Sequence, residues 1–430
     1  MQIKLPYGDG FLTAELPDNT AILEPAQAEY NKELSQEELI EQALNEPIGS
    51  LGLAELVQKR SQEKAQSSSE ALRVTIISSD HTRPVPSKLT MPFLLREIRK
   101  ANPKAEITIL VATGFHRGST DEELRAKYGS EIFENERIVN HDCTNSPMVE
   151  LGTLPSGGKL VLNELAINTD LLIAEGFIEP HFFAGYSGGR KSVLPGIASR
   201  VTVLANHCSE FIDNKKARAG ITEGNPIHRD MIFAAQEAKL AFILNVVLDE
   251  DKKVIAAFAG DPFKAHEKGA AFVDTFSQVR PVFSDIVITS NGGYPLDQNI
   301  YQAVKSVSAA DASCNPGGVI IVASECRDGH GGEVMYQSFK EASSVEEVHQ
   351  KIMDTPATQT VPDQWQTQFY SDIMKRNTLI MISDPKNKEI IEDMYMLYAA
   401  NLDEALKLAY DRKPGAQVTV IPNGISVIVK

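Results

Sequence analysis

Imidazole, guanidinium and amine side chains crowd one short stretch, Glu179-Pro180-His181-Phe182-Phe183-Ala184-Gly185-Tyr186-Ser187-Gly188-Gly189-Arg190-Lys191-Ser192. An imidazole titrates near neutrality and can move protons. A Gly-rich turn such as Ser187-Gly188-Gly189 can aim successive backbone N–H groups at an anion. The spacing matches neither GxxxxGK[ST] nor GxGxxG, so nucleoside-triphosphate hydrolysis and ordinary dinucleotide binding are weakly supported. Lys191 reads in two ways: a cation that pairs with phosphate or, when deprotonated, a nucleophile that forms a covalent adduct. The plainer alternative is a solvated Lys-Arg pair.

Four other segments carry chemistry of the same kind. Asp80-His81-Thr82-Arg83-Pro84 combines a carboxylate with a planar guanidinium suited to a carboxylate or phosphate; otherwise it is a capped turn with a surface Arg. Gly114-Phe115-His116-Arg117-Gly118 sets a histidine between glycines, where a ligand can approach closely, or where the ring merely bonds within its own turn. In Asn206-His207-Cys208 the imidazole is a candidate transition-metal ligand or a structural helix residue. No HExxH or HxH spacing accompanies it, so a multi-histidine zinc site is not indicated. His141, His228, His266, His330 and His349 have no such neighbourhood and read as structural. From Asn291-Gly292-Gly293 to Lys305, a helix beginning near Asp297 puts Tyr301 and Gln302 beside Lys305. That face offers a hydroxyl, an amide and a cation to a small hydroxy-carboxylate, or is an amphipathic surface.

Repeated short elements must position these residues. Val74–Ile77, Ile107–Val111 and Leu171–Ala174 are apolar runs, each followed by a polar loop. Such runs alternating with helices predict an α/β fold with mainly parallel sheets. Functional loops then lie at the carboxyl ends of the strands, where Asp80/Arg83, His116 and His181/Lys191 fall. The pattern restarts after the helix predicted over 261–276 and a linker over 278–284, with strands at Asp285–Thr289, Gly317–Val322, Leu379–Ile382 and Val418–Ile421. Two α/β domains are therefore expected, residues 1–277 and 278–430, with the active-site cleft between them. An N-terminal hairpin over Gln2–Leu16 and a helical region over 35–66, opened by a Ser35/Glu38 capping box, complete the first.

Bulk properties narrow the function classes. The 430 residues suffice for two cores, and a net charge of −16 without a basic stripe argues against nucleic acid as a partner. The start of the chain has no apolar signal core, and no run approaches a membrane span. Cys143, Cys208, Cys314 and Cys326 are widely spaced, which fits a reduced, cytoplasmic protein better than a disulfide framework.

Taken together, the segments at 80–84, 114–117, 179–196, 206–207 and 292–305 resemble the nickel-dependent lactate racemase family. Trp365, the single tryptophan, falls where that family carries an active-site tryptophan. The resemblance implies a nickel-pincer nucleotide, pyridinium-3-thioamide-5-thiocarboxylic acid mononucleotide. Lys191 matches its thioamide tether, and His207 matches the protein ligand to the nickel. His116 and His181 match the acid/base pair, and Ser187, Gly188 and Gly189 would help to hold the nucleotide. Asp80, Arg83, Tyr301, Gln302, Lys305 and Trp365 match positions around the substrate.

The implied reaction is interconversion of D- and L-lactate by reversible hydride transfer to the cofactor, with one histidine on each face of the substrate. Malate, a longer aliphatic or aromatic hydroxy acid, or a sugar acid is the alternative substrate. A cofactor-free binding protein and a conventional metal hydrolase are readings of a different class. The expected partners are the 2-hydroxy acid and, transiently, proteins that build the cofactor; a homo-oligomer is compatible with the sequence.

Overall fold

Leu171–Phe177 is buried along its whole length, as a strand covered on both faces by helices requires. The computed structural model describes residues 1–430. Leu171–Phe177 lies in a six-stranded sheet ordered Val254–Gly260, Leu240–Leu248, Leu171–Phe177, Arg73–Ser79, Glu106–Ala112, Arg137–Asn140. Every pairing is parallel except the edge strand Val254–Gly260, which runs antiparallel to Leu240–Leu248. Three neighbouring strands of this sheet, those starting at Leu171, Arg73 and Glu106, end in the loops that carry the reactive residues. Their adjacency is what brings residues a hundred positions apart into one place.

A second six-stranded sheet is parallel throughout, ordered Leu397–Ala399, Thr378–Ile382, Cys314–Ala323, Ser284–Ser290, Val418–Ile421, Ala21–Ile22. Its strand Ser284–Ser290 leads through the Asn291–Asn299 loop into the helix Ile300–Asp311. The Asn299 side chain caps that helix by accepting from the Gln302 backbone N–H, so the helix starts three residues after the expected Asp297. Asp297 instead accepts the Gly8 backbone N–H at 2.7 Å. One apolar cluster, including Leu110, Phe182, Trp365, Phe369, Ile320 and Met381, joins the two sheets around the cleft.

Three expectations are corrected. The hairpin forms, pairing Gln2–Tyr7 with Gly10–Glu15, but Ile3, Leu5, Ala14 and Leu16 pack on Ile286, Ile288 and Ile321 of the second sheet. With Ala21–Ile22 as that sheet's edge strand, the chain's first residues belong physically with the C-terminal half, and 1–277 is not one unit. The helical region 35–66 is two helices, Gln36–Asn45 and Leu53–Ser67. Pro47 lacks a backbone donor and Gly49 takes φ +70°, which ends the first helix before the second begins. The third concerns the linker, whose residues Gln278–Val279 pair in parallel with Ile428–Val429. The Ser35/Glu38 capping box is present, and no helix is long and apolar enough to cross a membrane.

Candidate active site

The turn after Arg73–Ser79 folds back on Asp80, whose Oδ1 accepts from the Thr82 backbone N–H at 3.0 Å and the Thr82 hydroxyl at 2.6 Å. This leaves Oδ2 for His116, whose Nδ1–H donates to it at 2.7 Å. Burial favours the neutral Asp80 acid, but His116, Arg83 and Thr82 outweigh it and hold the carboxyl well below its ordinary range. An ionised Asp80 fixes His116 with its proton on Nδ1, leaving Nε2 free as a base. Nε2 lies 3.4 Å from the Gln302 amide nitrogen, which reaches across from the second sheet's helix. Arg83 Nη1 donates to the Thr82 hydroxyl at 2.9 Å, holding the guanidinium at the same rim.

His181 sits in a two-residue ladder, Pro180–His181 against Gly185–Tyr186, that closes the loop back on itself. Its Nδ1 accepts the Ala184 backbone N–H at 3.3 Å, so the neutral ring carries its proton on Nε2. Burial, then Lys191, Lys305 and Arg83, push its pKa well below the ordinary value. Phe182 and Phe183 stack and edge against the ring, with centroids 5.0 Å and 4.6 Å away.

Lys191 follows on a short 3-10 turn, Gly189–Ser192, with its amine 5.7 Å from the Phe183 ring centroid. Burial first, then the charges of Arg190, Arg83 and Lys305, hold the amine well below its ordinary pKa; Glu179 opposes them. Burial and those like charges favour the neutral form, in which the amine is nucleophilic. His207 closes the helix Arg200–Asn206 as its C-cap, and its Nδ1–H donates to the Val203 carbonyl at 3.1 Å. That bond leaves Nε2 as a bare donor atom for a metal. Burial, then Lys191, lower the His207 pKa to about 3. Trp365 lies edge-on to His207 at 4.9 Å and donates Nε1–H to the Tyr301 hydroxyl at 2.7 Å.

Lys305 is buried on the helix Ile300–Asp311, one turn after Tyr301 and Gln302. Burial and Arg83 lower its pKa, while Glu179 and Asp80 raise it. Burial raises the pKa of the Glu179 carboxyl against the pull of Lys305, Arg83 and Lys191. Asp80, Arg83, His116, His181, Ser187, Gly188, Lys191, His207, Tyr301, Gln302, Lys305 and Trp365 all line one cleft of about 1040 Å³ of atom-free space, partly open to solvent.

Gly189 is the one expected site residue that does not line it, and the anion-cradling turn needs correction. The Gly189 N–H donates to Asn245 Oδ1 at 2.7 Å, and the Ser187 N–H to the Glu179 carbonyl at 2.9 Å. The Ser187 hydroxyl donates to the Phe177 carbonyl at 3.0 Å and accepts the Glu179 N–H. Glycine is needed here for close packing: a Cβ on Gly189 would lie 2.7 Å from the His266 ring, and one on Gly188 2.6 Å from Asn245 Oδ1. Arg190 also turns inward, away from any exposed Lys-Arg pair, and is 1% exposed.

Two wall residues escaped the sequence reading. Glu175 is buried and accepts the Ser78, Ser87 and Thr90 hydroxyls at 2.5 Å each, tying the strands Leu171–Phe177 and Arg73–Ser79 to the helix Ser87–Ala101. A charged residue inside the apolar run Leu171–Phe177 was a readable anomaly. Glu179 adjoins Pro180-His181 within the opening motif itself.

The comparisons with known proteins agree with one another. Residues 7–220 match the model of the lactate racemase N-terminal domain, and residues 279–429 that of the C-terminal domain. The chain is 53% identical to the lactate racemase of Thermoanaerobacterium thermosaccharolyticum, with 100% of this chain and 99% of that protein covered. It is 50% identical, with the same coverage, to the lactate racemase of Lactiplantibacillus plantarum. The structure of the lactate racemase apoprotein from T. thermosaccharolyticum superposes with a TM-score of 0.92 at 52% identity, covering 100% of both chains. A Thermotoga maritima protein shares the fold, with a TM-score of 0.67 at 20% identity over 94% of this chain and 100% of its own. Both halves of the sequence and the whole of the structure thus point one way, and the chain belongs to the lactate racemase family.

Proposed function

We propose that this protein is an isomerase that interconverts D- and L-lactate, and that His116 and His181 are its acid/base pair. Its membership of the lactate racemase family supports the reaction class. The observation that carries the residue assignment is the convergence of two imidazoles, a buried amine and a bare imidazole nitrogen in one cleft rimmed by Arg83 and Lys305. Arg83 and Lys305 bind the substrate carboxylate, and desolvation strengthens that grip. His116 Nε2 accepts the hydroxyl proton of one enantiomer, while ionised Asp80 stabilises the imidazolium that results. His181, on a different loop, serves the other enantiomer; inversion needs a proton carrier on each face. Phe182, Phe183 and Trp365 exclude water from the reacting carbon.

The residues present fit a nickel-pincer nucleotide. Lys191 offers a buried amine whose surroundings favour its nucleophilic form, suited to a covalent tether, and His207 Nε2 offers one ligand to the metal. No group of three or more His, Cys, Asp or Glu side chains is arranged to hold a metal ion between them, so a metal held by His207 would need its remaining donors from the cofactor. When bound, that group supplies the hydride acceptor and donor that the side chains lack. A tether at Lys191 would also remove one of the cations that depress the His181 pKa. The four free cysteines support a reducing cytoplasm as the compartment. Loading requires transient contact with proteins that build the cofactor.

The test is racemisation over a panel of 2-hydroxy acids, using the chain co-produced with that biosynthetic machinery. Lactate is expected to be turned over fastest. Preference for malate, a longer hydroxy acid or a sugar acid would reassign the substrate, and inactivity on every member would overturn the proposal.

A further inference from the structure

Glu179 is the one carboxylate that lines the cleft without a hydrogen-bond partner. Asp80 is engaged by Thr82 and His116, and Glu175 by three hydroxyls. The main chain of Glu179 is pinned by Ser187, whose hydroxyl accepts its N–H at 2.9 Å and whose own N–H donates to its carbonyl at 2.9 Å. The carboxylate itself feels the charges of Lys305, then Arg83, then Lys191. Lys305 mirrors this from the opposite wall, on the helix Ile300–Asp311. It too is buried without a hydrogen bond. Burial and Arg83 push it toward the neutral amine; Glu179, then Asp80, draw it back toward the cation. The other titratable groups lining the cleft are His116, His181, His207 and Tyr301.

We propose that Glu179 is a positioning residue that acts through Lys305, keeping that amine charged so that it can grip the substrate carboxylate together with Arg83. This rests on the reading of Arg83 and Lys305 as the carboxylate grip. Two neighbouring cations in a buried cleft oppose each other's charge, and the amine can shed its proton where the guanidinium cannot. Asp80 already carries the bonds to His116 and Thr82, so Glu179 is the free carboxylate that holds the proton on Lys305. No ion pair joins the two directly, and an incoming carboxylate therefore meets a charged amine without having to break one. Glu179 and Lys305 also belong to different sheets, so the charge of the grip is set across the cleft. A tether at Lys191 would leave Lys305 and Arg83 as the cations acting on Glu179.

The test compares the KM for lactate of loaded wild type and loaded Glu179→Gln between pH 6 and pH 9, in both directions of the reaction. The charged amine grips the carboxylate and the neutral one does not, so KM climbs as pH rises through the Lys305 pKa. Loss of Glu179 lowers that pKa, and the climb is expected to begin about one pH unit earlier. The two KM values then differ about tenfold on the alkaline side and about twofold or less at pH 6. A packing defect would raise KM equally at every pH, and such a uniform rise, or a climb at the wild-type pH, overturns the inference. Should Glu179→Gln not fold, Glu179→Asp withdraws the carboxylate by one methylene. A difference of about threefold on the alkaline side is expected there, and an unshifted profile overturns the inference equally. Lys305→Arg supplies a charge that does not titrate in this range. Added to Glu179→Gln, it is expected to abolish the early climb, and a climb that persists assigns the titration to another group and overturns the inference. Lys305→Met separates the two proposals. An unchanged KM at pH 6 in that variant removes the grip itself, whereas a raised KM there with an unshifted Glu179→Gln profile removes the role of Glu179 alone.

Discussion

His116 and His181 sit in contrasting electrostatic surroundings. One is backed by a buried carboxylate at 2.7 Å; the other is packed among aromatic rings and lies near the basic groups of Lys191, Lys305, Arg83 and Arg190. Both are nonetheless required if protons must be exchanged on two faces. His116→Ala and His181→Ala are each expected to lower racemisation by roughly 10²–10⁴-fold, with the circular-dichroism spectrum and melting profile retained. Full activity in either variant would remove that residue from the reaction. Lys191→Ala is expected to leave the chain at its unmodified mass after co-production, and the wild type is expected to gain the mass of a covalent adduct. Intact-mass spectrometry reads this directly, and an adduct of unchanged size in the variant would locate the tether elsewhere.

At the scale of elements, the loop after Leu171–Phe177 is a packed object more than a cradle. Gly189 takes φ +53° and its α-carbon faces the His266 ring. Gly189→Ala must strain the backbone and displace that ring. A loss of about 2 kcal/mol or more in denaturant unfolding is expected, with weaker cofactor retention. A wild-type midpoint would show that the turn has slack. The strand-loop-helix rhythm and the post-strand position of Asp80, His116 and His181 were legible because both follow from local patterns of apolar and polar residues. The use of the Gly189 N–H was not, because its acceptor is Asn245, in the neighbouring strand Leu240–Leu248. Arg190 was misread for the same reason. Its Nε donates to His228 Nδ1 at 3.0 Å, and His228 stands on a separate helix, Pro226–Glu237. The hairpin could be read from its alternation, but the face it covers is set by tertiary packing.

At the scale of the molecule, burial of neutral histidines couples stability to pH. His141, His207 and His266 are buried and all titrate below the ordinary imidazole value, His141 at about 4 and His207 at about 3. In the unfolded chain the same rings take up protons near pH 6.5. Between pH 6.5 and the folded values, the unfolded state therefore binds more protons, and stability falls as pH falls. Each ring adds up to about 1.4 kcal/mol per pH unit to that slope. The melting temperature is expected to be flat above pH 7 and to drop steeply between pH 6.5 and 5. Equal melting temperatures at pH 7 and pH 5 would contradict the burial of neutral rings.

The placement of the N-terminal hairpin also bears on how the protein is made. Ala21–Ile22 pairs with Thr419–Val420, so this edge strand docks on a strand synthesised some four hundred residues after it. At roughly 5–20 residues per second, the interval is on the order of twenty seconds or longer. For much of it, until Ile286, Ile288 and Ile321 are made, the apolar face of Ile3, Leu5, Ala14 and Leu16 lacks the residues it packs on. Nascent chains of this protein thus carry an uncovered apolar hairpin face until the second sheet's strands have emerged. Moving residues 1–23 behind Lys430 would let the second sheet close without that wait.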